Sequence, residues 1–121
     1  MSIEFRRAED AVKNRDFDTA DRILRERCTD EDAAAPDFQA LAAWIKANQN
    51  KGELGAAVSD LTYLLMSHND CESALYYRGL LLKRSGKDKA ALRDFVTLVK
   101  ENPNHAGALT EIKLLRESMK K

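Results

Sequence analysis

The nearest approach to ligand chemistry in this chain is the run Gly79 to Lys87, where Ser85, Gly86 and Lys87 have the residue types of a phosphate-binding loop. Such a loop wraps backbone N–H groups around phosphate oxygens and needs the spacing G-x-x-x-x-G-K-S/T. Here six residues separate the two glycines and Asp88 follows the lysine, so the cradle cannot form. Asp30, Glu31 and Asp32 offer carboxylates to a cation. They lack the alternating ligands and closing bidentate glutamate of a calcium loop, and read as a solvated linker. His68 and His105 have no cysteine or carboxylate at a metal-ligand spacing. Cys28 and Cys71 stand apart, with neither a Cys-x-x-Cys pair nor a dense disulfide framework, which fits a reducing compartment. No Gly-x-Ser-x-Gly element, motif-placed Cys and His pair or glycosidase-like carboxylate pair is found. The expectation is a protein with no catalytic residues, metal or cofactor.

Composition narrows the function classes further. The 121 residues fit one domain and carry 20 basic and 20 acidic side chains. A neutral chain has no global electrostatic reason to seek nucleic acid or a membrane surface. The balance hides an asymmetry: residues 1–37 carry net −4, 38–71 net −1 and 72–121 net +5. In an elongated stack this gradient would separate charge along the molecule. Glu4, Arg6, Arg7, Glu9 and Asp10 occupy the opening segment, where a signal peptide needs an apolar run, and no apolar stretch approaches membrane-spanning length. The chain reads as soluble and cytoplasmic.

The elements are helical. Pro36 and Pro103, the two prolines, fall where helical periodicity stops. Leu75, Gly79 and Leu82 recur at helical spacing before Ser85 and Gly86 end that segment; Ala91, Phe95, Leu98 and Val99 form the next, up to Asn102, Pro103 and Asn104. The same phrase occurs 34 residues earlier, with Leu41, Trp44, Ile45 and Asn48, a break at Lys51 and Gly52, then Ala57, Leu61, Leu64 and Leu65. A fainter copy holds Ala8, Asp16, Phe17, Ala20 and Leu24. Helices this short cannot bury their apolar faces alone, so neighbouring pairs must stack, with small residues where helices cross and bulk at Phe17, Leu24, Leu61 and Phe95.

These positions resemble the tetratricopeptide repeat family, whose 34-residue unit has a small residue at position 8, glycine at 15, alanine at 20, leucine or an aromatic at 24 and proline at 32. Residues 72–105 supply Gly79, Gly86, Ala91, Phe95 and Pro103 at those places. Residues 38–71 keep Gly52, Ala57 and Leu61 but have Ile45 and Asn69 at positions 8 and 32. Residues 1–34 keep Ala8, Ala20 and Leu24, have Arg15 in place of the glycine, and run into a polar linker that ends at Pro36 and adds three residues to the period. Residues 106–120, through Leu109, Ile112 and Leu115 with Thr110, Lys113 and Arg116 on the wet side, form the closing helix of such an array. The expected fold is therefore all-α: a single superhelical domain over 1–121 of three helix-turn-helix repeats plus a closing helix.

The resemblance implies a concave groove lined by positions 2, 5, 9 and 12 of each first helix. Those places hold Gln39, Ala42, Lys46 and Gln49 in the second unit and Ser73, Tyr76, Leu80 and Lys83 in the third. The partner it implies is a peptide or helix of another protein, with lysines for its carboxylates and glutamines for its backbone. Family members that grip heat-shock chaperone tails carry a lysine and asparagine clamp, and Phe5, Glu9, Ala43, Ser73 and Tyr77 stand at its five places, so that clamp is not expected. Two alternatives remain. An uncovered Phe5 face and the charge gradient would favour a homo-oligomer. Lys83, Arg84, Lys87, Lys89 and Arg93 would favour nucleic acid, but only Tyr76 and Tyr77 offer stacking rings nearby.

Overall fold

The computed structural model describes residues 2–49 and 54–120. Over these residues the chain forms eight α-helices and no strand: α1 (Ile3–Lys13), α2 (Phe17–Glu26), α3 (Asp30–Ala33), α4 (Pro36–Gln49), α5 (Leu54–Ser67), α6 (Glu72–Arg84), α7 (Asp88–Glu101) and α8 (Ala106–Met119). The pairs α1/α2, α4/α5 and α6/α7 stack in order, and α8 packs on α7. The break expected at Lys51 and Gly52 lies outside the described residues.

Local chemistry sets the helix ends. The Ser2 hydroxyl accepts from the Phe5 N–H, and the Asp16 carboxylate from that of Thr19. His105 Nδ1 accepts from Ala108, which starts α8. The linker expected between the first two units contains one helical turn, α3. Thr29 and Asp32 close it as a capping box, and the Ser2 hydroxyl donates to Asp32 at 3.1 Å, tying the linker to the start of α1. Pro36 opens α4, where its missing N–H costs nothing.

Small residues mark the helix crossings. Ala8, Ala20, Ala57, Ala74, Ala91 and Ala108 are wholly buried. Gly79 shows why size matters: a Cβ built there would lie 2.6 Å from the Phe95 ring, so α7 rests its largest core side chain on the α6 backbone. Gly86, at φ +78°, turns the chain out of α6.

Two expectations are corrected. Phe5 is 3% exposed, packed with Ala8, Ala20, Leu24 and Leu41 and tilted against Phe38 at 6.4 Å, so it offers no uncovered face. Leu109 is 46% exposed; Ala108, one position earlier, takes the buried place with Ile112 and Leu115. Asp30, Glu31, Asp32, Asp37, Asp70 and Glu72 lie in or beside the connections between units, whereas Lys13, Arg15, Arg84, Lys87 and Lys89 lie at the turns inside units. That places acids at the N-terminal ends of α4 and α6 and bases at the C-terminal ends of α1 and α6, as helix dipoles favour.

Candidate protein-binding surface

Helix α6 is the centre of the surface, because neighbours claim it on two sides. Towards α4 it presents Tyr77 and Arg84. Tyr77 stacks on Trp44 with centroids 5.0 Å apart and planes at 13°; the Arg84 guanidinium lies over the Trp44 ring at 4.6 Å and donates to Asn48 Oδ1 at 2.9 Å. Towards α8 it presents Tyr76 and Lys83. The Tyr76 ring lies 6.0 Å from Phe95 and 4.9 Å from His105, and a Cβ on Gly107 would touch its hydroxyl. Lys83 Nζ meets Glu111 at 2.8 Å. Burial raises the Tyr76 pKa and the Glu111 charge adds to it, so this phenol stays protonated. On the strip of α6 between the two flanks lie Ser73 and Leu80, both partly buried, Leu80 packed against the main core. Ser73 donates to Asp37 at 3.1 Å.

The residues expected on α4 do not continue this strip. Gln39, Ala42 and Lys46 come together on the opposite flank, where they line a depression of about 380 Å³ with Phe38, Ala43 and, from α5, Asp60, Tyr63 and Leu64. Lys46 approaches Asp60 at 3.8 Å. Gln49 points to the first unit, donating to the Phe17 carbonyl at 3.5 Å and to Asp18 at 3.0 Å. The α4 residues that meet α6 are instead Asp37, Trp44 and Asn48, about half a helical turn round from Gln39 and Lys46.

Side-chain size accounts for this orientation. Ile45 stands where the third unit has Gly79, and it cannot admit a ring from α5. The helix presents Ala40, Ala43 and Ala47 to the cluster containing Ala57, Leu61 and Leu64, while Leu41 and Ile45 go to the first unit with Phe5, Ala8 and Leu24. The alanine spacing at 40, 43 and 47 was the readable signal for the close-packed face. Trp44, Asn48 and Arg84 lie outside positions 2, 5, 9 and 12, the places from which the groove residues were read.

No family model matches the chain, and no curated protein matches it. Among solved structures, it superposes on a chain of the UNC-45 chaperone, a protein critical for binding and folding muscle myosin, with a TM-score of 0.70 over 97% of its length at 22% identity. The chain is an α-helical repeat array. It spans 13% of that neighbour's length, and at this identity the likeness shows the fold alone. Among the described residues of the array, no helix is long and apolar enough to cross a membrane and no cluster of His, Cys, Asp or Glu could hold a metal ion.

Proposed function

We propose that the chain is a tetratricopeptide-type interaction module that holds a peptide or helix of a partner protein without catalysis. One observation carries the reading: α6 is held from both sides by Trp44 on α4 and Glu111 on α8, while Ser73 and Leu80 between them keep part of their surface exposed. A rigid helix with a half-exposed leucine between fixed aromatic and charged neighbours suits an incoming segment, whose ordering it does not share. The protein-binding character of the UNC-45 neighbour supports a protein partner. Ser73, Tyr76, Leu80 and Lys83 are the proposed contacts, and the cytoplasm the proposed location. The depression at Gln39, Ala42 and Lys46 is separate from this strip.

Affinity capture from native lysate, comparing the intact chain with Leu80→Glu and with Tyr63→Glu, tests the reading. Leu80→Glu should lose a specific partner that Tyr63→Glu keeps. Equal recovery by all three chains overturns the placement on α6.

A second reading, association between two copies, is favoured by Leu109 and Leu114 on α8, each 46% exposed. Sedimentation across a concentration series separates it from the first: a monomer throughout removes it.

A further inference from the structure

The turn inside the third unit opens onto a separate depression of about 500 Å³, between the start of α7 and the end of α8. Its walls carry three bases, Lys87, Lys89 and Arg93, together with Asp88, Ala90 and the last residue of α8, Met119. Three bases against one acid leave this lining at +2. Lys89 and Arg93 are four residues apart on α7, so they stand one turn apart on the same helix face. All three bases are exposed, and among the described residues none has a carboxylate within ion-pair distance, Asp88 included. Lys46 and Lys83, beside the other surfaces, differ: they meet Asp60 at 3.8 Å and Glu111 at 2.8 Å. Met119 continues the side of α8 that buries Ala108, Ile112 and Leu115, yet stands 41% exposed. The apolar face of α8 thus runs out into a basic recess. Like charges around one opening repel, which an anion relieves, and a flexible thioether beside them fits irregular apolar shapes.

We infer that this depression docks an acidic amphipathic segment of a partner protein, a short helix presenting carboxylates one turn apart beside an apolar side chain. Charge complementarity selects that occupant. Arg93 takes one carboxylate bidentately, Lys89 and Lys87 hold a second as point charges, and the apolar side chain rests on Met119 and Ala90. No aromatic ring lines the depression, so it lacks the stacking platform that single-stranded nucleic acid uses. The surface shares no residue with Ser73, Tyr76, Leu80 and Lys83 on α6, so the two assignments stand or fall separately.

The test uses the full chain and short fluorescent helical peptides read by anisotropy. The first carries glutamates four residues apart beside a leucine; the others have glutamine or lysine in place of the glutamates, or serine in place of the leucine. The glutamate peptide should bind, more weakly as salt rises, with the glutamine form about tenfold and the serine form about threefold weaker. Lys89→Glu with Arg93→Glu should weaken binding of the glutamate peptide about tenfold or more and gain binding of the lysine peptide, a reversal that a damaged fold cannot give. Lys113→Glu with Arg116→Glu, the same charge change on α8 outside the depression, should weaken it by less than about threefold, as should Leu80→Glu. Absence of binding, equal binding of the glutamine peptide, or an equal loss in the α8 pair or in Leu80→Glu overturns the site. A single-stranded oligonucleotide that binds more tightly than the glutamate peptide, and is lost in Lys89→Glu with Arg93→Glu, makes this a nucleic-acid surface and overturns it as well.

Discussion

Trp44 and Tyr77 lie nearly parallel, ring on ring, and this pair joins the second unit to the third. Trp44 is 7% exposed, and the Arg84 guanidinium also lies over its ring. Trp44→Ala should cost about 3–5 kcal/mol in urea unfolding, the loss of a large buried ring. Tyr77→Phe keeps the stack and should cost less than about 1.5 kcal/mol. Equal losses would mean that the hydroxyl, and not the stacking, holds the joint.

Gly79 and Phe95 make the tightest crossing found at a glycine. Gly79→Ala should destabilise by about 1–3 kcal/mol, because the ring cannot retreat from the α6 backbone without strain. Adding Phe95→Leu should recover part of that loss, which a double-mutant cycle measures. Strict additivity would show that the two sites do not press on one another.

Arg78 grips Asp94 through two bonds, 2.8 and 2.6 Å, and reaches Thr62 on α5 at 3.3 Å. Asp94 is 5% exposed, the buried charge among the described residues. Arg78→Ala strands that carboxylate and should cost about 3–5 kcal/mol. Replacing both partners, Arg78→Met with Asp94→Leu, should cost far less, since no buried charge is left unpaired.

How much of this was legible in the sequence follows from which interactions repeat. Ala20, Ala57, Ala91 and Gly79 announced the crossings because close approach forbids larger side chains there, and the all-α stack followed from them. The strip proposed on α6 rests on the register of residues 72–105, which keep every small position. The orientation of α4 was not legible. It depends on Ile45 filling a place that needed a small residue, and on the one-turn helix Asp30–Ala33, whose capping box is local chemistry outside the repeat.

Glu9 supplies a pH dependence. Burial raises its carboxyl above the usual 4.5, against an opposing pull from Lys13 and with help from the Asp37 charge. A raised carboxylate favours folding while protonated, so its contribution is full below the unfolded value and disappears as pH rises through the folded one. At neutral pH the ionised form therefore costs stability. Glu9→Gln should raise the melting temperature near pH 7 and lose that advantage in acid; a gain that is constant with pH would point to packing instead.

The most direct measurement places a photo-crosslinking residue at Leu80 and, separately, at Tyr63, which stands 76% exposed beside the depression on α4 and α5. Irradiation in native lysate should give a discrete crosslinked partner from position 80. A partner crosslinked from position 63 and never from position 80 would contradict the assignment of the binding surface to α6.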